Sequence, residues 1–272
     1  RHALQSGADA MVTSAHKTLP AYTQSALVFA RTERIDRDRL DRAFEATATT
    51  SPSGTIAASA DAARALLESD GERLLGNLLA LIEHARDRLR KISGVVLLDD
   101  VVDPSVIVDR VKLAINVSGT GATGLAIEDH MVAAGMPIEL ADRDTVVPII
   151  SMNDDLSSVD RFVEGVSEAI ERERSTPRPV RPSISWTVEP KVVISPRDAF
   201  FAPHVAVPAD QAIGRVSAEL VAPYPPGIPV LAPGELITSE AVKGLREAMA
   251  DGTQVRYAAD RTLATFQVVS DS

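Results

Sequence analysis

Ala8-Asp9-Ala10-Met11-Val12-Thr13-Ser14-Ala15-His16-Lys17-Thr18-Leu19-Pro20-Ala21-Tyr22-Thr23-Gln24-Ser25-Ala26 is the stretch from which the rest of the chain is read. Residues 8–12 have the pattern of a short buried strand in a parallel sheet, and they deliver Ser14, His16 and Lys17 onto a loop rich in small and hydroxyl residues. A lysine behind a strand is ordinarily a solvated charge. Held beside another cationic group and partly desolvated, it loses proton affinity, and its amine can attack a carbonyl carbon to form a Schiff base.

Pyridoxal 5'-phosphate is a cofactor that needs such an amine, together with hydroxyl and imidazole donors for its phosphate. Ser14 and His16 stand three and one residues before Lys17. The order Ser14-Ala15-His16-Lys17, followed by Thr23-Gln24-Ser25-Ala26, closely resembles the cofactor-attachment signature of the Orn/Lys/Arg decarboxylases, pyridoxal-phosphate enzymes of aminotransferase fold type I. Pro20 departs from that signature, which has a small residue there.

Other segments resemble the same family. Thr49-Thr50-Ser51-Pro52-Ser53 is similar to its second active-site segment, with Gly54 in place of a bulky residue. The resemblance implies that Thr50 and Ser51 reach the cofactor phosphate of the neighbouring subunit. Residues 112–124 with Ile138-Glu139-Leu140-Ala141-Asp142 resemble the small domain. Ser195-Pro196-Arg197-Asp198-Ala199-Phe200 and Pro223-Tyr224-Pro225-Pro226-Gly227-Ile228-Pro229, with Pro233-Gly234-Glu235, resemble the carboxy-terminal segment.

In that family the acid on the pyridine nitrogen, the group stacked on the ring and much of the phosphate loop precede the lysine by more sequence than residues 1–16 provide. Nothing in residues 1–15 supplies them, and the chain opens with Arg1. The expectation is the carboxy-terminal part of a longer enzyme, whose missing amino-terminal portion is its natural partner.

With 272 residues, 45% hydrophobic, the chain can bury a sizeable core. Its net charge of −10 argues against a general nucleic-acid or anionic-membrane surface and suits a cationic substrate. Zero cysteines exclude disulfides, thiolate metal sites and a cysteine nucleophile. No apolar run approaches the roughly 20 residues that span a bilayer. Cytoplasm is the default location.

The fold class is α/β: part of a fold type I large domain, an α/β small domain and a Pro-rich carboxy-terminal module. Residues 1–58 are assigned to the large domain, 59–93 to connecting helices, 94–174 to the small domain, 175–182 to a linker and 183–272 to the carboxy-terminal domain. Arginines and acids alternate over residues 31–45, as on a solvated turn and helix face. A helix capped by Ser59 is expected to stop at Asp70-Gly71, and a second to run from Glu72 to Ser93-Gly94 with Leu75, Leu78, Leu79, Ile82, Ala85 and Leu89 on one face. Strands are expected at 95–98, 111–117 and 138–140, and helices at 125–134 and 157–174, the latter with the stripe Val159, Phe162, Val163, Val166, Ile170. Three prolines in residues 175–182 rule out a helix, and the module from 183 onward reads as mostly extended.

Gly119-Thr120-Gly121-Ala122-Thr123-Gly124 lies between a strand and a helix, as a dinucleotide-binding turn does, but no further strand-helix-strand units follow; a tight small-domain loop is the better reading. The five histidines, at 2, 16, 84, 130 and 204, show no paired metal-ligand spacing. No GxSxG elbow supports hydrolase chemistry. The proline run at 223–229 reads as packed against the body, with Tyr224 and Glu235 its candidates for reaching a site.

The resemblance implies decarboxylation of a basic amino acid (arginine, lysine or ornithine) to a di- or polyamine precursor, in at least a homodimer. It makes Lys17 and His16 catalytic and Lys17, Ser14, His16, Thr50 and Ser51 cofactor-binding, with no metal. Two rivals share the constellation: another fold type I enzyme, an aminotransferase or lyase, and a non-catalytic regulatory member of the fold.

Overall fold

A computed structural model describes residues 2–225 and 227–270; Pro226 of the proline motif, Arg1 and residues 271–272 lie outside the described residues. The chain divides into two compact units, Arg1–His84 with Ile149–Val159, and Ala85–Pro148 with Asp160–Ser272.

In the first unit, β1 (Ala10–Ser14) pairs with β2 (Ala26–Ala30) in register Ala10↔Ala30 to Ser14↔Ala26. The pairing is antiparallel, where a parallel sheet was expected, because residues 15–25 reverse the chain on itself. The strands are apolar on both faces, the pattern of strands covered on both sides, yet the Val12–Val28 pair lies exposed. The expectation of a buried strand at 8–12 is corrected accordingly.

Helix α1 (Arg37–Thr47) starts at an Asp36 N-cap, whose carboxylate accepts the Arg39 N–H at 3.0 Å, and is exposed except at half-buried Leu40. Helix α2 (Gly54–Leu89) is continuous over 36 residues, so the expected break at Asp70-Gly71 does not occur. An interior glycine costs only about 1 kcal/mol against alanine, and the Ala, Leu, Glu and Arg around it are strong helix formers. Gly71 is buried, with Leu67 beneath the place a Cβ would occupy.

The second unit holds a four-stranded antiparallel sheet formed by β3 (Val96–Leu97), β4 (Ile115–Asn116), β5 (Leu140–Ala141) and β6 (Thr145–Val147), in the order β3-β4-β6-β5. The strand expected over 111–117 shortens to two residues. Ile115 and Val146, paired across β4 and β6, are fully buried. Helix α3 (Gly124–Ala133) is capped by Thr123 Oγ1. Helix α4 (Leu156–Glu173) places Val163, Val166, Ala169 and Ile170 in the core, and Gly165 lets it close on Met131 and Met136. Arg86, in the last turn of α2, is buried; it donates to the Lys112 carbonyl at 2.8 Å and pairs with Asp99 at 2.7 Å.

Residues 175–182 form no helix but are fastened down. The Ser175 and Arg178 N–H groups donate to the Thr120 and Ser118 carbonyls, and the Arg178 guanidinium reaches Asp144 and the Gly121 and Ala122 carbonyls. Beyond them come α5 (Ile184–Thr187), α6 (Pro196–Phe201), β7 (His204–Pro208), α7 (Ala209–Ala212), β8 (Ala222–Tyr224), α8 (Ser239–Ala250), β9 (Gln254–Arg256) and β10 (Thr265–Val269). β7 pairs with β10 and β8 with β9, both antiparallel. The module is less extended than expected, since the 12-residue α8 buries Ala241, Val242 and Leu245 against Ile237, Val255 and Phe266. Glu219, also buried, is satisfied by the Gln267 and Ala259 N–H groups, each at 2.7 Å.

Candidate active site

β1 ends at Ser14, half-buried opposite Ala26. Ala15, fully buried, anchors the turn that follows. The Ser25 carbonyl accepts the Ala15 N–H at 3.0 Å and His16 Nδ1 at 3.0 Å, so the exit and return of the loop are pinned at one atom. The Leu19 N–H returns to the Ala15 carbonyl, and the Ser25 N–H to that of Tyr22. The Tyr22 N–H is held by Ser59 Oγ of α2 at 3.0 Å. Gln24, with φ 77°, makes the left-handed step that turns the Ser25 carbonyl toward Ala15 and His16.

Lys17 is exposed at the head of this turn and His16 is half-buried beside it. The structure therefore brings Ser14, His16 and Lys17 together on one short segment. Ser25 joins them. It is 4% exposed, and its Oγ has no hydrogen-bond partner among the described residues. Sequence reasoning missed it: Ser25 lay in the quoted run, but nothing local showed that it folds back onto His16.

Thr50 and Ser51 lie exposed between α1 and α2, where the Ser51 N–H donates to Thr49 Oγ1 at 3.2 Å. No hydrogen bond described for them reaches the lysine turn. Asp9, the one carboxylate in residues 1–16, is exposed and pairs with Arg34 at 3.3 Å.

The glycine loop at 119–124 is filled by the chain itself. A Cβ on Gly119 would strike Gly94, one on Gly121 would strike Ser175, and one on Gly124 would strike the Asp142 and Thr145 carbonyls. These glycines serve close backbone packing and leave no cradle for a nucleotide phosphate. His130 pairs with Glu173 at 2.8 Å, and the Glu235 carboxylate accepts the Ala232 N–H of its own turn at 2.9 Å. Tyr224 is half-exposed under the Arg256 guanidinium. Among the described residues no cluster of His, Asp and Glu could hold a metal ion, and no helix is long and apolar enough to cross a membrane.

Residues 5–157 match the Orn/Lys/Arg decarboxylase major domain, and residues 184–254 match the Orn/Lys/Arg decarboxylase C-terminal domain. The chain belongs to the Orn/Lys/Arg decarboxylase family. It is 32% identical over 274 residues to an arginine decarboxylase of Bacillus subtilis (strain 168), and 33% identical over 282 residues to one of Halalkalibacterium halodurans. Each comparison covers 99% of this chain and 56% of the relative, so the chain spans about half the length of the relatives it matches.

Two solved lysine decarboxylases share its fold. The constitutive enzyme of Escherichia coli has a TM-score of 0.71 at 18% identity, covering 95% of this chain and 49% of that one. The Francisella novicida enzyme has a TM-score of 0.76 at 18% identity, covering 95% and 48%. The mixed α/β architecture of this family member is thus that of known decarboxylases.

Proposed function

We propose that this chain carries the lysine-bearing part of a pyridoxal-phosphate-dependent decarboxylase, of fold type I, acting on arginine, lysine or ornithine. The observation that carries the reading is the closure of Ser14, His16 and Lys17 onto one turn by the Ser25 carbonyl. The donor set suits a phosphorylated aldehyde: an amine at the head of the turn, and hydroxyl and imidazole groups beside it. A buried Ser25 hydroxyl without a partner among the described residues carries an uncompensated desolvation cost of about 1–3 kcal/mol, which a bound anion would offset.

In this reading Lys17 would be the residue that holds the cofactor through its amine, and the same amine would be placed to return a proton to the substrate's α-carbon. Ser14 Oγ and His16 Nε2 hold the phosphate. When bound, the cofactor supplies an electron sink for the bond to the α-carboxylate. Thr50 and Ser51 serve the neighbouring subunit, which makes the functional unit a dimer or larger. The product is an amine that can enter polyamine synthesis, and the setting is cytoplasmic. Residues from 183 onward act as the Pro-rich carboxy-terminal module.

Asp9, committed to Arg34, is no partner for a pyridine nitrogen, so the proposal includes a need for parts of the relatives that these 272 residues do not span. The isolated chain should release little carbon dioxide; robust turnover by it would overturn that part. The whole reading is tested by carbon dioxide and amine release from arginine, lysine and ornithine by the complete, cofactor-loaded protein. One of the three should be turned over and Lys17→Ala should remove the activity by about a thousandfold or more. Transamination or elimination in its place, or turnover of none, would contradict it.

A further inference from the structure

The Ser25 carbonyl can only accept hydrogen bonds. His16 Nδ1 lies 3.0 Å from it, so Nδ1 must carry the proton of that bond. A neutral imidazole with its proton on Nδ1 has a bare lone pair on Nε2. Nε2 has no partner among the described residues, and it is the atom left to meet a ligand.

We propose that Ser25 is a positioning residue for His16: its carbonyl, turned inward by the left-handed backbone at Gln24, locks the ring in the Nδ1–H form, so that His16 binds an anionic group only by taking a second proton on Nε2. The inference rests on the assignment of His16 to the cofactor phosphate. A bare Nε2 opposite a phosphate oxygen sets lone pair against lone pair. An imidazolium there donates a charge-assisted bond while Nδ1 keeps the Ser25 carbonyl. Phosphate capture and protonation of His16 are therefore linked.

Lys17 sits on the turn, Tyr22 is on the return arm, and β1 and β2 carry no ionisable residue. The nearest charges along the chain beyond the strands are Asp9 and Arg31, and the first on α2 is Asp61.

The test begins with the 15N-labelled chain free of cofactor. Long-range 1H–15N correlation should show neutral His16 as the Nδ1–H form, with Gln24→Gly preserving it and Gln24→Val, which disfavours a left-handed φ, giving a mixture. A predominant Nε2–H form or a rapid mixture in the unmutated chain overturns the proposal, and that readout decides even where Gln24→Val does not fold. Pyridoxal 5'-phosphate is then titrated against pH. The contribution of His16 is the difference between the profile of the unmutated protein and that of a variant whose side chain cannot take a second proton. His16→Gln, which offers a fixed N–H donor, should flatten the profile while still binding. Profiles of the same shape for the unmutated protein and His16→Gln overturn the linkage. Failure of pyridoxal 5'-phosphate to bind at any pH would count against the proposed function, and the ring readout stands apart from it.

Discussion

Arg178 Nη1 stands 2.8 Å from Asp144 Oδ1, and Asp144 is 5% exposed. The same guanidinium donates to the Ala122 carbonyl, and the Arg181 N–H reaches the other Asp144 oxygen at 3.2 Å. This pair turns a proline-rich connector into a strap across the glycine loop.

Removing Arg178 leaves buried Asp144 with the Arg181 N–H and a longer contact to Arg143 Nη1 at 3.6 Å, at a cost of about 1–3 kcal/mol. Arg178→Leu should therefore lower the unfolding free energy measured in urea by that amount and expose residues 175–182 to protease. A change below about 0.5 kcal/mol with unchanged cleavage would show the strap to be ornamental.

Two glycines should respond in opposite directions. Gly76 lies on an exposed turn of α2 with nothing near its Cβ position, so Gly76→Ala should stabilise by about 1 kcal/mol. Gly124→Ala would drive a methyl into the Asp142 and Thr145 carbonyls and should destabilise by about 3 kcal/mol. Equal effects in chemical denaturation would contradict the backbone-contact account of that loop.

The Asp260 carboxylate is held at about 2 against a usual 3.8, because the Thr262 hydroxyl and the Thr262 and Thr265 N–H groups donate to it. A lowered pKa in the folded state gives stability that is complete above the unfolded value and is lost as pH falls toward the folded one. The stability difference between the unmutated chain and Asp260→Asn should thus be constant above about pH 5 and shrink between about pH 4 and pH 2. A pH-independent difference would sink this assignment.

Thr50 and Ser51 offer a test of the proposed shared site. In the complete, cofactor-loaded protein, subunits carrying Lys17→Ala mixed with subunits carrying Thr50→Ala and Ser51→Ala should form heterodimers with one intact site and regain about a quarter of the activity, following random pairing. Heterodimers shown by mass spectrometry but without activity would place these hydroxyls outside the partner's site.

Local patterns carried much of this architecture. The α4 stripe reads directly from the positions of Val163, Val166 and Ile170, whereas α6 and its Ser195 cap fall in a module expected to be mostly extended. The Ser14-His16-Lys17 spacing puts Ser14 at the end of β1 and His16 and Lys17 on the turn that follows. What escaped depended on partners distant in sequence. Gly71 did not break α2, because its burial and its neighbours outweigh its weak propensity. The strap rests on an Arg178–Asp144 pair 34 residues apart, and the role of Ser25 on a contact with His16 across nine. The two-faced apolar pattern of β1 suggested burial that Val12 and Val28 do not have in this chain.

The central claim is that Lys17 is the cofactor-bearing amine. Borohydride reduction of the pyridoxal-phosphate-loaded protein, followed by peptide mapping, should place a phosphopyridoxyl group on Lys17 and none on the Lys17→Ala variant. A label on Lys112 or Lys191, or none on a protein that demonstrably binds the cofactor, would contradict it.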